Sequence, residues 1–226
     1  MILILAPGSG LAHGPWITGP SATVNAYSQG AANAPWSIVE VHTSGDLGQY
    51  ASVAIDPLNG TPCTSYYDAT SHDLRKVHHV GHGGNCGPDN AWPCKTADSG
   101  GDVGKHSSIA IYPGWPSGAG PWGMGIAYHD ATNGSLKYAA TQDSGSGLWA
   151  IHSIDRGILA VSTTGFYPTL KLRSRGYPAI AHHFNNPTNV DPLKFTYDSV
   201  ASGNCESGDL PDSWRCETII TGEGVG

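Results

Sequence analysis

Gly48-Gln49-Tyr50-Ala51-Ser52-Val53-Ala54-Ile55-Asp56-Pro57 recurs further along the chain as Gly104-Lys105-His106-Ser107-Ser108-Ile109-Ala110-Ile111-Tyr112-Pro113. An internal period takes precedence over any local motif, because it dictates the architecture. The likeness continues downstream. Tyr66-Tyr67-Asp68-Ala69-Thr70 returns as Tyr128-His129-Asp130-Ala131-Thr132, and Leu74-Arg75-Lys76-Val77 as Leu136-Lys137-Tyr138-Ala139. A looser third copy holds Phe166-Tyr167-Pro168, Ile180-Ala181-His182-His183 and Leu193-Lys194-Phe195-Thr196. A degenerate one at the start holds Leu3-Ile4-Leu5-Ala6-Pro7, Leu11-Ala12-His13 and Val24-Asn25-Ala26-Tyr27. Each copy closes on a segment led by Trp36, Trp92, Trp149 or Trp214.

Each copy therefore carries four short strand candidates. They alternate apolar and polar residues or are rich in β-branched and aromatic types, and Gly, Pro, Asn or Asp bounds each of them. A four-stranded unit of about 45 to 70 residues in tandem is the signature of a propeller blade. The expected fold is all-β, a β-propeller of about four blades forming a single domain, with units at 1–45, 46–101, 102–155 and 156–226. The tail Thr221 to Gly226 resembles the Ser44-Gly45-Asp46-Leu47-Gly48 connection into the next unit. A longer array, or chains joined head to tail, thus competes with a closed four-bladed monomer.

Composition agrees with a turn-rich β protein. The 226 residues include 31 Gly and 16 Pro, and 7 Trp, 10 Tyr and 3 Phe supply the apolar surface that a disordered chain lacks. Only 11 Lys and Arg against a net charge of −7 argue against helical bundles and against a nucleic-acid partner. The longest apolar run, Ile2 to Ala6, is too short to span a bilayer, and Met1 to Ala6 has no basic start, so any secretory signal is expected to have been removed or to precede this stretch. The pairs Cys86/Cys94 and Cys205/Cys216 each open with Gly-Asn-Cys and enclose a polar loop with a Trp near the second Cys. Neither has C-x-x-C spacing with a downstream His, so disulfides are expected rather than zinc, with Cys63 left as a buried thiol. An extracellular or cell-surface location follows as an expectation.

The small-residue strand ending in Asp, Tyr66-Tyr67-Asp68, Leu136-Lys137-Tyr138-Ala139 and the Trp-led strand together resemble the extracellular propeller repeats of bacterial sequences, a sialidase-like superfamily. The resemblance implies that first strands line a central channel, with Ala54, Ala110 and Gly165 near the axis and the Trp-led strand outermost. It also raises glycoside hydrolysis as an activity. That chemistry needs an arginine cluster, a tyrosine nucleophile and an aspartate acid/base. The arginines here, Arg75, Arg156, Arg173, Arg175 and Arg215, occupy no repeated first-strand position, and Ser153-Ile154-Asp155-Arg156-Gly157 is an incomplete Asp-box that reads as a turn.

The recurring Asp68, Asp130, Asp46 and Asp102 read as turn residues whose carboxylates bond backbone amides. Histidine is over-represented, with 11 in the chain. His72, His78, His79 and His82 crowd one hairpin. His13, Tyr66, Tyr128 and His182 share a column of the second strands, with His129 and His183 in the next. That column is either a ligand-lining ring or polar packing between blades, and no metal site is expected from it. No Gly-rich phosphate cradle or nucleophile elbow is present. Trp115 and Trp122 lie in an insertion that breaks the 102–155 unit between its first and second strands, where a binding surface is commonly grafted onto a repeat. The expectation is a non-catalytic module with no cofactor that binds a glycan or an extracellular protein. The alternatives are a subunit of an extracellular assembly and a sialidase-like hydrolase.

Overall fold

The computed structural model describes residues 3–7, 36–57, 59–112, 123–141, 148–157, 162–173, 177–186, 192–199, 203–205 and 213–220. They form fourteen strands: β1 Leu3–Pro7, β2 Trp36–Glu40, β3 Leu47–Ile55, β4 Pro62–Asp68, β5 Asp73–His78, β6 Cys94–Asp98, β7 Val103–Tyr112, β8 Gly123–Asp130, β9 Ser135–Thr141, β10 Ala150–Arg156, β11 Thr163–Leu172, β12 Pro178–Asn185, β13 Leu193–Asp198 and β14 Trp214–Ile220. Strands β3–β6, β7–β10 and β11–β14 make three four-stranded antiparallel meanders, and β1 pairs with β2. Leu3–Pro7, expected as a first strand, lies directly against the Trp-led β2, with Leu3 opposite Glu40 and Pro7 opposite Trp36.

The sheets stack in chain order. β7 lies across β3, β4 and β5, and β11 across β7, β8 and β9. Hydrogen bonds repeat at both seams: Ile109 N donates to Ser52 Oγ (3.2 Å) and Leu170 N to Ser108 Oγ (3.0 Å). These equivalences correct the expected alignment of the third copy. Gly165 corresponds to Gly48 and Gly104, not to Ala54 and Ala110, whose counterpart is Lys171. Pro168, the first-strand proline of this copy, sits within β11 at the Ala51 position, whereas Pro57 lies beyond the end of β3. Between the sheets, Leu74, Val103, Ile109, Met124 and Ile126 form one core, and Leu136, Tyr138, Ile154, Leu170 and Ile180 the next.

Asp68 and Asp130 act in the turns as anticipated, whereas the carboxylates of Asp46 and Asp102 take side-chain donors instead of backbone amides, Gln49 Nε2 for Asp46 and Lys105 Nζ and Tyr67 Oη for Asp102. Asp68 Oδ1 accepts from Thr70 N and Ser71 N, and Asp130 Oδ1 from Asn133 N. Thr70 and Thr132 hydroxyls accept from Asp46 N and Asp102 N at the equivalent turns.

Both expected disulfides are present, Cys86–Cys94 with Cα atoms 6.1 Å apart and Cys205–Cys216 with 5.0 Å. Cys63 is a buried free thiol. The Asn of each Gly-Asn-Cys behaves as a piece of strand. Asn85 Oδ1 accepts from Cys94 N (2.7 Å) and its Nδ2 donates to Cys94 O, while Asn204 does the same with Cys216. Backbone amides of Asn85, Cys86, Asn204 and Cys205 donate to the carbonyls of Trp92 and Trp214. The motif is thus a clasp in which the side-chain amide continues the ladder over the outermost strand.

Candidate functional site

Each first strand opens on Gly-x-aromatic. Gly48, Gly104 and Gly165 have φ of 92°, 104° and 84°, and Tyr50, His106 and Tyr167, two residues on, have φ of 53°, 55° and 49°. Residues with a Cβ seldom enter this region, and aromatic ones less than Asn or Asp. The three strands share the cause: each shifts register twice against its neighbour around these residues, a double bulge that bends the strand and re-aims the side chains. The glycine permits close approach. A Cβ on Gly104 would stand 2.7 Å from Leu74 Cα, and one on Gly165 2.7 Å from Leu136 Cα.

Stacking the sheets brings the bulges into register as a row of rings. The His106 ring centroid lies 4.3 Å from that of Tyr50 and 4.3 Å from that of Tyr167. Tyr50 is 41 % and Tyr167 67 % exposed, so the row faces solvent. A second layer supports it: Phe166 stacks on His129 at 4.2 Å, His106 lies 6.4 Å from His129, and Tyr50 lies 6.1 Å from Tyr67. His129 Nδ1 lies 2.7 Å from the Thr164 carbonyl, which can only accept, so that nitrogen carries the proton.

Charges flank the row without interrupting it. Lys105 Nζ is 2.6 Å from Asp102 Oδ2, and Tyr67 Oη donates to Asp102 Oδ1 at 2.7 Å. Burial would raise the Asp102 carboxyl, but the hydrogen bonds from Lys105 and Tyr67 outweigh it and hold the group below its ordinary value. Burial, with His129 and Lys105 nearby, pushes His106 down to about 4, and burial likewise lowers His129. His106 is therefore uncharged at neutral pH. Flat rings beside hydrogen-bonding groups can stack on a polar ring while those groups orient it.

Of the residues singled out from sequence, the described ones lie away from this row. Trp115, Trp122 and His13 fall outside the described residues. Tyr66, Tyr128 and His182 are fully buried and turned into the seams between sheets. Tyr66 Oη is 2.8 Å from His42 Nδ1, Tyr128 Oη donates to Asp98 Oδ2 at 2.6 Å, and His182 Nε2 is 3.9 Å from Asp155 Oδ2. His42, Asp98 and Asp155 occupy one position, just after the buried Val41, Ala97 and Ile154 that end each preceding unit. Lys137 (2.9 Å) and Lys194 (2.8 Å) complete the last two contacts. Tyr66 and Tyr128 thus latch one sheet to the preceding one, whereas His182 bonds Thr164 Oγ1 (3.2 Å) and Thr196 Oγ1 (3.0 Å) of its own sheet and reaches Asp155 through Thr164, whose hydroxyl donates to Asp155 Oδ2 at 3.1 Å. His72 does not join His78: it precedes β5, which His78 ends, and its Nδ1 is 2.7 Å from Tyr67 Oη.

The row itself was missed, although Gly48-Gln49-Tyr50 and Gly104-Lys105-His106 stand in the defining repeat. Among the described residues, no group of three or more His, Cys, Asp or Glu is placed to hold a metal. Compared with known proteins, the chain matches no family model, no curated protein and no solved structure.

Proposed function

We propose that the chain is a non-catalytic extracellular module built on the β-propeller plan, which binds glycans by stacking sugar rings on Tyr50, His106 and Tyr167. The observation that carries this reading is the row itself: three aromatic positions held at φ near +50° at the same place in three successive units, with Tyr50 and Tyr167 exposed and His106 half-buried between them. Backbone strain repeated where the rings reach solvent points to a role beyond packing. The propeller plan is supported by the stacking of first strands side by side, with the Trp-led strands farthest from them. Two disulfides support an oxidising, extracellular setting.

The arginines support a binding rather than a hydrolytic role. Arg75 bonds Thr96, Arg156 bonds Ser153, and Arg173 bonds the Asp198 carbonyl, each on a different sheet. Replacing Tyr167 with Ala is expected to weaken retention by an immobilised extracellular polysaccharide roughly tenfold, on the scale of one lost ring contact, while thermal unfolding is unchanged. Equal retention of the two proteins would refute the role of the row.

One observation favours assembly as a second reading. Val53 is 61 % exposed, whereas its equivalents Ile109 (6 %) and Leu170 (2 %) are covered by the preceding sheet. Concentration-dependent light scattering is expected to show self-association in this case, and one monodisperse species near 23.5 kDa throughout would sink it.

A further inference from the structure

At the opposite ends of the same strands, a cavity of about 360 Å³ opens between the first and second sheets, within the size range of small-molecule sites. We infer that this cavity is a second binding site, for one small uncharged polyhydroxy compound the size of a single sugar ring or cyclic polyol. The inference rests on the packing of these two sheets and not on the aromatic row.

The wall from the second sheet is apolar, made by Ile111 and Met124, and faces a polar wall from the first. Asp56 supplies a carboxylate that accepts. Asn59 Oδ1 is taken up by Thr61 N (2.8 Å) and Thr61 Oγ1 (2.7 Å), which leaves the Asn59 amide nitrogen to donate. The His78 imidazole adds a group of defined tautomer: Lys76 Nζ stands 2.7 Å from its Nδ1, and because an ammonium only donates, the ring proton sits on Nε2. His79 is braced by Trp92, ring centroids 4.8 Å apart. Hydrogen-bonding groups of both kinds opposite an apolar wall match a molecule with hydroxyls on one side and C–H groups on the other.

Charge narrows the class further. The Asp56 carboxylate opposes an anion. On the other side Lys76, directly behind His78, opposes a cation; burial and the nearby Lys76 and Lys95 push His78 down to about 3, so its ring adds no charge at neutral pH. The hairpin that lines this cavity departs from the repeat at His78-His79-Val80-Gly81, where a grafted site is expected.

The test uses the intact disulfide-bonded chain with D-glucose and myo-inositol as probes, and acetate and methylammonium as charged counterparts, read by saturation-transfer NMR and calorimetry. Val80, at the rim and 41 % exposed, is replaced by Trp to close the mouth without touching the core. Cys63, the one thiol outside the disulfides, lines the cavity, and its side-chain NMR signals report occupancy. The expected result is saturable binding of a neutral probe, at least roughly tenfold weaker in Val80→Trp, unchanged in Tyr167→Ala, with the Cys63 signals shifted. Preference for either charged probe, equal binding to Val80→Trp, or an absence of saturable binding would overturn the assignment. Tyr167→Ala separates this outcome from failure of the aromatic row.

Discussion

Asp98→Ala is expected to destabilise the fold by about 3–5 kcal/mol at neutral pH, the range for breaking a buried pair from one side. The carboxylate sits in the seam between the first two sheets, 2.6 Å from Tyr128 Oη and 2.9 Å from Lys137 Nζ, and also accepts from Gly100 N at 2.9 Å. Its removal leaves a fully buried phenol and a mostly buried ammonium without that acceptor. The same contacts set a pH dependence. Burial alone would raise the Asp98 carboxyl, but the hydrogen bonds from Tyr128, Lys137 and Gly100 bring it below 3.8. A depressed carboxyl contributes stability that is fully present above its unfolded value and is lost as pH falls through the folded one. Urea unfolding of the wild type should therefore weaken as pH drops below about 4, while the Asp98→Ala chain loses less over that window. An equal acid dependence in the two proteins would show that the latch is not the titrating element.

Gly104→Ala is expected to be comparably damaging, at about 3–5 kcal/mol, because strain and overpacking add. Gly104 has φ of 104°, and its added Cβ would stand 2.7 Å from Leu74 Cα, a backbone atom that cannot rotate away. Gly60 provides the control: its φ of 71° carries the conformational strain, but nothing lies within 4 Å of an added Cβ. Gly60→Ala is expected to cost about 1 kcal/mol. Chemical denaturation of both variants separates the terms, and equal losses would mean that close approach of the sheets contributes nothing.

The repeat was legible because its signal is local. Alternation of apolar residues, Gly-Asp turns and Trp-led strands mark the four strands of the three units between 46 and 226 without knowledge of the neighbours, and both disulfides follow from matched Gly-Asn-Cys loops; the second and third strands expected in 1–45 lie outside the described residues. The third copy was misaligned for a physical reason. Pro168 imitates the proline that follows the other first strands, while Gly165-Phe166-Tyr167 has the bulge conformation of Gly48-Gln49-Tyr50 with different side chains. Contacts between sheets were not legible: Asp98 meets Tyr128 across a seam between units, and sequence shows that the column recurs but not which way it faces. The row needs three double bulges and the stacking order together, so its members read as unrelated aromatic residues until the bulges are superposed. The latch explains why polar residues recur at fully buried positions, since Tyr66 and Tyr128 are met by His42 and Asp98 of the preceding unit and His182 by Thr164 and Thr196 of its own.

The proposed binding surface is the solvent-facing row of Tyr50, His106 and Tyr167. Backbone-amide NMR of the disulfide-bonded protein, titrated with an oligosaccharide retained by the wild type, tests it. Saturable shifts are expected to cluster at residues 48–50, 104–106 and 165–167, with little change around Tyr66, Tyr128 and His182 in the seams. Shifts that spare the three bulges, or binding that persists undiminished in Tyr167→Ala, would contradict it.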